Sequence, residues 1–251
     1  MRVLRREGTT VIAVPCRYCV TYILVENGQA ALVDAGSGGD VGRIAAALVR
    51  CAPKGARPRF ILPTHLHFDH VIGLHALASR FGVPVMLGRV AAGHARGGRP
   101  VRYPSRVQLA RSLATWLMQG MPFPPLADWK EGWSFGLPWG RNLFSASLEP
   151  APGHRRRLPG LDGWMLLETP GHSDDSICLH HPRARFLVSG DTVRNFLGGE
   201  WNPLHCDAGA YARTRALLRS LDVDTIFPAH GPVIEGADVI RRVRTPGWLS
   251  P

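Results

Sequence analysis

The sequence predicts a layered α/β fold, on three observations. Runs with strand character fall into two series, one ahead of residue 92 and one after residue 160; helical stretches are interspersed among them; and no fixed-period repeat or low-complexity linker divides the chain. A single domain over residues 1–251, with an insertion at about 92–160, is the expected organisation. With 45% of its 251 residues hydrophobic and 20% charged, the chain is long enough to bury a large core.

Taken in order, "MRVLRREGTTVIAV" alternates like a strand and lacks the long apolar run and cleavage site of an export signal. After "TTVIAVPC", the stretch "CVTYILVENGQAALVDAG" holds two β-rich runs around "ENGQ", a hairpin signal. Asp40 is placed to cap a helix over "VGRIAAALVRCA". "RPRFILPT" reads as a short buried strand, "HVIGLHALASRFG" as a helix starting at His70 and closed by Gly82, and "VPVMLG" as the next strand. From about 92 to 160 this rhythm is lost to Arg, Gly, Pro and Trp, with one amphipathic stretch at "SRVQLARSLATWLMQG". The aromatic residues there, Trp116, Phe123, Trp129, Trp133, Phe135 and Trp139, suit either an apolar substrate pocket or burial of the insertion. Strand signals return in "GWMLLETPG", "SICLHHP" and "RFLVSGD"; a helix capped by Asp207 follows in "AGAYARTRALLRSL", then the strand "DTIFPAHG".

Composition narrows the function classes. No stretch approaches the eighteen or so uninterrupted apolar residues of a membrane helix, so no membrane partner and a cytoplasmic location are expected. Five cysteines form an odd, sparse set, which argues against a disulfide framework and fits a reducing compartment. Cys16 and Cys19 make a C-x-x-C that reads as two strand-borne thiols rather than a zinc or redox motif. The formal charge of +11 raises a nucleic-acid or acidic-substrate partner, yet Lys54 and Lys130 are the only lysines, and arginine-based charge reflects coding bias as readily as a binding surface. The densest basic region is residues 88–111.

Chemistry concentrates in "PTHLHFDHVIGL", residues 63–74. His65, His67 and Asp69 are spaced by two, so an extended segment projects them to one side, with His70 beginning a helix beside them. Imidazole and carboxylate are the ligands that borderline divalent ions such as zinc accept. Three later β-type runs end in the same residue types: "LLETPGHSDDSI" offers His172, "RFLVSGD" offers Asp191 and "TIFPAHGPVI" offers His230. Singly, each is weak: such a histidine is more often a hydrogen-bonded loop residue, and such an aspartate a turn or N-cap. The other histidines, His75, His94, His154, His180, His181 and His205, are expected in surface or packing roles.

The order H-x-H-x-D-H, then G-H, then G-D, then a late H-G, preceded by "ALVDAG" with Asp34, resembles the metallo-β-lactamase superfamily of hydrolases from about residue 10 to 235. The resemblance implies an αββα sandwich, two β-sheets faced by helices, with the metals at one edge between the sheets. It implies two divalent metal ions, zinc ahead of iron or manganese, one held by His65, His67 and His172 and the other by Asp69, His70 and His230, with Asp191 bridging both. Asp34 would hydrogen-bond and orient the histidine loop, and Asp69 would be the catalytic residue that orients the nucleophile and shuttles its proton. Two such ions, roughly 3.5 to 4 Å apart, can share a water and make hydroxide available at neutral pH.

The expected activity is a metal-dependent hydrolase using a metal-bridging hydroxide on a small acyl substrate: a thioester, a lactone or another ester. A phosphodiesterase or nuclease of the same fold is the first alternative, favoured by the charge and disfavoured by the lack of an obvious nucleic-acid module. A mono-iron persulfide dioxygenase is the second, because histidine and carboxylate suit one iron as well as two zincs. A non-catalytic binding protein is least expected, since all seven ligand positions are kept. The long interval between His70 and His172 departs from compact thioesterase and lactonase members. No residue pattern signals an oligomeric state.

Overall fold

The β-rich runs at the two ends of the chain become two sheets packed face to face, because most of their side chains are apolar on both faces. The computed structural model describes residues 1–97, 100–108, 110, 123, 125–129, 148–196 and 198–246. Among these, the first sheet runs β1 (Arg2–Arg6), β2 (Thr9–Pro15), β3 (Val20–Glu26), β4 (Gln29–Val33), β5 (Arg57–Leu62), β6 (Val85–Leu87) and β7 (Leu148–Pro150), in that spatial order. It is antiparallel from β1 to β4 and parallel from β4 to β7. The second sheet uses β8 (Arg156–Leu158), β9 (Leu161–Glu168), β10 (Ile177–His181), β11 (Phe186–Gly190), β14 (Thr225–Pro228) and β15 (Ile234–Glu235), in the order β15-β14-β11-β10-β9-β8. Only β11 and β14 are parallel there, and β12 (Val193–Arg194) with β13 (Glu200–Trp201) forms a separate ribbon.

Three apolar layers hold these elements together. Ile12, Ile23, Leu32 and Ile61 of the first sheet pack on Ile44 and Leu48 of α1 (Val41–Cys51) and on Leu74 and Leu77 of α3 (Leu74–Phe81), with α4 (Arg89–Ala95) adding Ala91. The opposite face sends Val11, Leu24, Val33 and Phe60 against Trp164, Leu166, Phe186 and Phe227 of the second sheet. The outer face of that sheet packs Leu167, Leu187 and Ile226 on Tyr211 and Leu218 of α5 (Ala208–Arg219). This is the expected αββα sandwich. Neighbours such as Val11 and Ile12 enter different layers, which is why these strands read as continuous apolar runs. Each large side chain so buried contributes on the order of 1.5 to 3 kcal/mol.

Local expectations hold at several elements. "ENGQ" is the two-residue turn of a β3–β4 hairpin, with Asn27 at φ +50° and Gly28 at φ +74°. Gly82, at φ +63°, closes α3 by donating its N–H to Ala78 O at 2.8 Å. Asp207 caps α5 by accepting the Ala210 N–H at 2.8 Å.

Others differ, each for a contact distant in sequence. Asp40 makes no cap bond to α1; its Oδ2 accepts from Ser37 N and Oγ at 3.0 and 2.7 Å and from Arg17 N at 3.0 Å, tying the loop after Asp34 to the β2–β3 turn. The helix expected from His70 is two: α2 (Phe68–Val71) and α3, broken at Gly73, where a Cβ would lie 2.4 Å from Ala35 O. Cys16 and Cys19 occupy the turn between β2 and β3 rather than a strand, and all five cysteines are free. Within 92–160, α4 ends at Ala95 and β7 and β8 belong to the sheets. Trp116, Trp133, Phe135, Trp139 and most of the amphipathic stretch lie outside the described residues. No helix among the described residues is long and apolar enough to cross a membrane.

His180, on β10, carries a stability consequence. It is 4% exposed, and burial lowers its pKa to about 4, with the Asp222 backbone opposing. The fold therefore holds the neutral ring, while the unfolded chain takes up a proton near pH 6.5. Stability is intact above that value and falls as the pH drops from there towards 4. His180→Leu is expected to move the acid-unfolding midpoint to lower pH, as circular dichroism would read; an unchanged midpoint would remove His180 from the acid transition.

Candidate metal centre

Five strand ends converge on one edge of the sandwich. Asp34 follows β4, His65 and His67 follow β5, His172 follows β9, Asp191 follows β11 and His230 follows β14. Two glycines let these loops meet. Gly190, at φ +50°, presses on Thr64, whose Oγ1 would lie 2.7 Å from any Cβ placed there. Gly171, at φ +146°, passes within 2.5 Å of the Tyr211 Cα on the same measure.

The histidine loop is pinned from two sides by buried carboxylates. Asp34, fully buried and at φ +61°, accepts the Thr64 N–H at 2.7 Å and the Thr64 hydroxyl at 3.0 Å, and its Oδ2 lies 3.0 Å from His70 Nδ1. Asp175 Oδ2 accepts the Leu66 N–H, between His65 and His67, at 2.8 Å. Asp175 was not singled out by the sequence; the paired aspartates after "GHS" were the available signal.

All seven sequence-derived ligand positions come together, in two groups. His65, His67 and His172 form one; Asp69, His70, Asp191 and His230 form the other; within each, one ligand atom per residue lies within 4.8 Å of the rest. Asp191 reaches both groups. Its Oδ1 is 3.2 Å from His70 Nε2 and 3.2 Å from His230 Nε2, while its Oδ2 is 3.4 Å from His172 Nε2. Asp69 Oδ2 lies 3.2 Å from His230 Nε2.

Outward-facing nitrogens are committed to backbone carbonyls. His67 Nε2–H donates to Arg102 O at 3.3 Å, and His172 Nδ1–H donates to Leu204 O at 2.7 Å. That leaves His67 Nδ1 and His172 Nε2 facing each other 3.1 Å apart as bare lone pairs. His65 Nε2 is also buried with no hydrogen-bond partner among the described residues. Inward-facing lone pairs of this kind are unfavourable on their own and are what a divalent cation satisfies, so the nitrogen and oxygen donors fit such ions.

Electrostatics separates the groups. Burial and neighbouring imidazoles hold His65 well below the usual histidine range and His67 at about 3, and burial lowers His172, so the first group presents neutral rings. In the second, burial opposes charge on His70 and His230. Asp34, Asp69 and Asp191 outweigh it at His70, and Asp191 and Asp69 raise His230 to about 9. A cation entering the second group therefore takes the place of protons.

A family model described as the metallo-beta-lactamase superfamily matches residues 14–230. The chain belongs to that superfamily. This metallo-β-lactamase superfamily chain is 28% identical over 218 residues to an acyl-coenzyme A thioesterase of Gallus gallus, covering 82% of this chain and 70% of that protein. It is 43% identical over 90 residues to a hydroxyacylglutathione hydrolase of Anaeromyxobacter dehalogenans, covering 36% of this chain and 30% of that enzyme. The chain spans only between 28% and 54% of the length of three curated relatives, the hydroxyacylglutathione hydrolase among them. A metallo-beta-lactamase family protein from Thermus thermophilus shares the fold, with a TM-score of 0.61 at 22% identity over 94% of this chain and 76% of that one.

The remaining histidines described make structural contacts. His94 Nε2 pairs with Asp174 at 3.0 Å, His154 accepts the Glu168 N–H, His181 packs edge-on against Trp164, and His205 stacks on Tyr211.

Proposed function

We propose that the protein is a binuclear metallohydrolase of small acyl substrates, thioesters ahead of lactones and other esters. The observation that carries this reading is Asp191, whose two oxygens face different ligand groups. His65, His67 and His172 would hold one ion, Asp69, His70 and His230 the other, and Asp191 both. Two divalent ions supply an activated water and neutralise charge developing on a substrate oxygen. Asp69 is the carboxylate placed to handle the proton: its side chain is 16% exposed, the most open of the second group, and its Oδ2 faces His230. Asp34 and Asp175 keep the histidine loop fixed through the cycle.

Support for an acyl substrate comes from the names of the relatives and from the surface beside the ligands. Phe68, between His67 and Asp69, lies 5.6 Å from the Trp129 ring and 5.9 Å from the Tyr18 ring, whose hydroxyl donates to Asp128. Trp129 remains 49% exposed, leaving an apolar face on which an acyl chain can pack. The sparse, unpaired cysteines support a cytoplasmic enzyme.

Protein purified without added metal is expected to carry about two divalent ions per chain and to hydrolyse a member of a thioester and lactone panel. Chelation should abolish turnover, and zinc should restore it. About one iron per chain with consumption of persulfide and oxygen would overturn the hydrolase; cleavage of phosphodiesters alone would overturn the acyl substrate.

A further inference from the structure

We propose that Arg102 and Tyr103 form a positioning clamp on His67, fixing the ring plane and tautomer with which it meets a metal ion. The proposal rests on reading His67 as a ligand and adds a segment that no ligand motif includes.

The local sequence, "RPVRYPS", is built to stay extended. Pro100 and Pro104 bracket three residues, and a residue preceding proline is held away from helical geometry. Alternation then sends Val101, 6% exposed, and the part-buried Tyr103 to the helix-side core, and leaves the Arg102 side chain outside. Two contacts to His67 follow. The Tyr103 ring stacks on the imidazole with centroids 4.7 Å apart and planes 13° from parallel. The Arg102 carbonyl accepts the His67 Nε2–H at 3.3 Å. A hydrogen-bond acceptor on one ring nitrogen decides that the other carries the lone pair, so this carbonyl makes Nδ1 the inward donor atom.

Arg102 also couples this clamp to the neighbouring ligand. Its Nη2 donates to Cys206 O at 3.4 Å, in the same loop whose Leu204 O accepts the His172 Nδ1–H. One exposed side chain thus links the segments that orient His67 and His172. Their inner nitrogens, 3.1 Å apart, depend on both walls keeping station.

The ring of Tyr103 carries the effect, because its buried hydroxyl has no hydrogen-bond partner among the described residues. Phenylalanine keeps the stack and strands no hydroxyl, so Tyr103→Phe should hold metal as the parent does. Tyr103→Ala removes the stack, and Tyr103→Leu preserves bulk without a flat face, which serves if alanine impairs folding.

The test is zinc affinity, measured by competition with a chromogenic chelator on the full chain, alongside the absorption spectrum of the cobalt-substituted protein. Tyr103→Ala and Tyr103→Leu are expected to weaken zinc binding by about 10- to 100-fold and to alter the cobalt bands, Tyr103→Phe to do neither, and Arg102→Ala to shift both in the same direction but less. Melting of the metal-free Tyr103→Phe, Tyr103→Leu and Arg102→Ala forms should stay close to the parent, whereas Tyr103→Ala, which leaves a cavity against the helix-side core, melts lower. Parental affinity in both the alanine and leucine variants would overturn the clamp, as would a phenylalanine variant as weak as leucine. The assay needs no substrate. A parent that binds zinc tightly yet hydrolyses no ester sinks the acyl reading and leaves the clamp standing; a parent that binds no divalent ion removes both.

Discussion

Asp191→Asn is expected to lower turnover by about 10³-fold or more and to reduce bound metal from about two ions per chain to one or fewer. The substitution preserves size and shape but deletes the negative charge that faces both groups. It also swaps one oxygen for an NH2. Whichever way the amide turns, it presents hydrogens either to His70 and His230, each 3.2 Å from Oδ1, or to His172, 3.4 Å from Oδ2. A donor then stands where a cation needs an acceptor. Folding should survive, because asparagine fills the same buried volume as aspartate and the tight approach of Gly190 to the histidine loop is unchanged. Elemental analysis, kcat and the melting temperature of the metal-free protein separate these effects. Parental metal content together with parental turnover would refute the shared-ligand role.

The sandwich and the meeting of seven His and Asp side chains at one edge of it were legible because each depends on order along the chain: β-rich runs ending in His or Asp, with glycine beside them. Gly171 and Gly190 explain part of that legibility, since the loops carrying His172 and Asp191 reach the site only where a Cβ is absent. What stayed hidden depends on contacts between segments far apart in sequence. Asp40 follows the cap rule locally, yet its carboxylate is taken by Ser37 and Arg17. The helical pattern from His70 is unbroken in sequence, yet Gly73 lies hard against Ala35. Asp175 and Tyr103 acquire roles only once the histidine loop lies against them. Backbone carbonyls such as Arg102 O and Leu204 O have no residue-type signature at all.

Asp34 tests whether the orientation of the histidine loop can be separated from its stability. Two substitutions should fail in different ways. Asp34→Ala strands the buried Thr64 N–H and the His70 Nδ1–H, and it puts alanine at φ +61°, where aspartate and asparagine are better tolerated. Each orphaned donor costs about 1 to 3 kcal/mol, so a loss of about 3 to 5 kcal/mol on unfolding is expected, a large share of a stability that is typically about 5 to 15 kcal/mol. Asp34→Asn keeps the backbone conformation and, through its carbonyl, the bond to Thr64 N–H. Its NH2, however, then faces His70 Nδ1, which must accept instead of donate. The ring proton moves to Nε2, the atom that faces Asp191 and belongs to the second ligand group. Metal-free stability should therefore fall by clearly less than in Asp34→Ala while zinc affinity at the second group falls by about 10- to 100-fold, with turnover following it. Denaturant unfolding of the metal-free proteins reads the first effect and zinc titration the second. If Asp34→Asn lost stability as Asp34→Ala does, the aspartate would act through the fold; if it kept both stability and zinc, the His70 tautomer would not depend on it. The expected split, a fold that loses less than the alanine variant does but a second group that holds zinc poorly, assigns to Asp34 control of a single proton on His70.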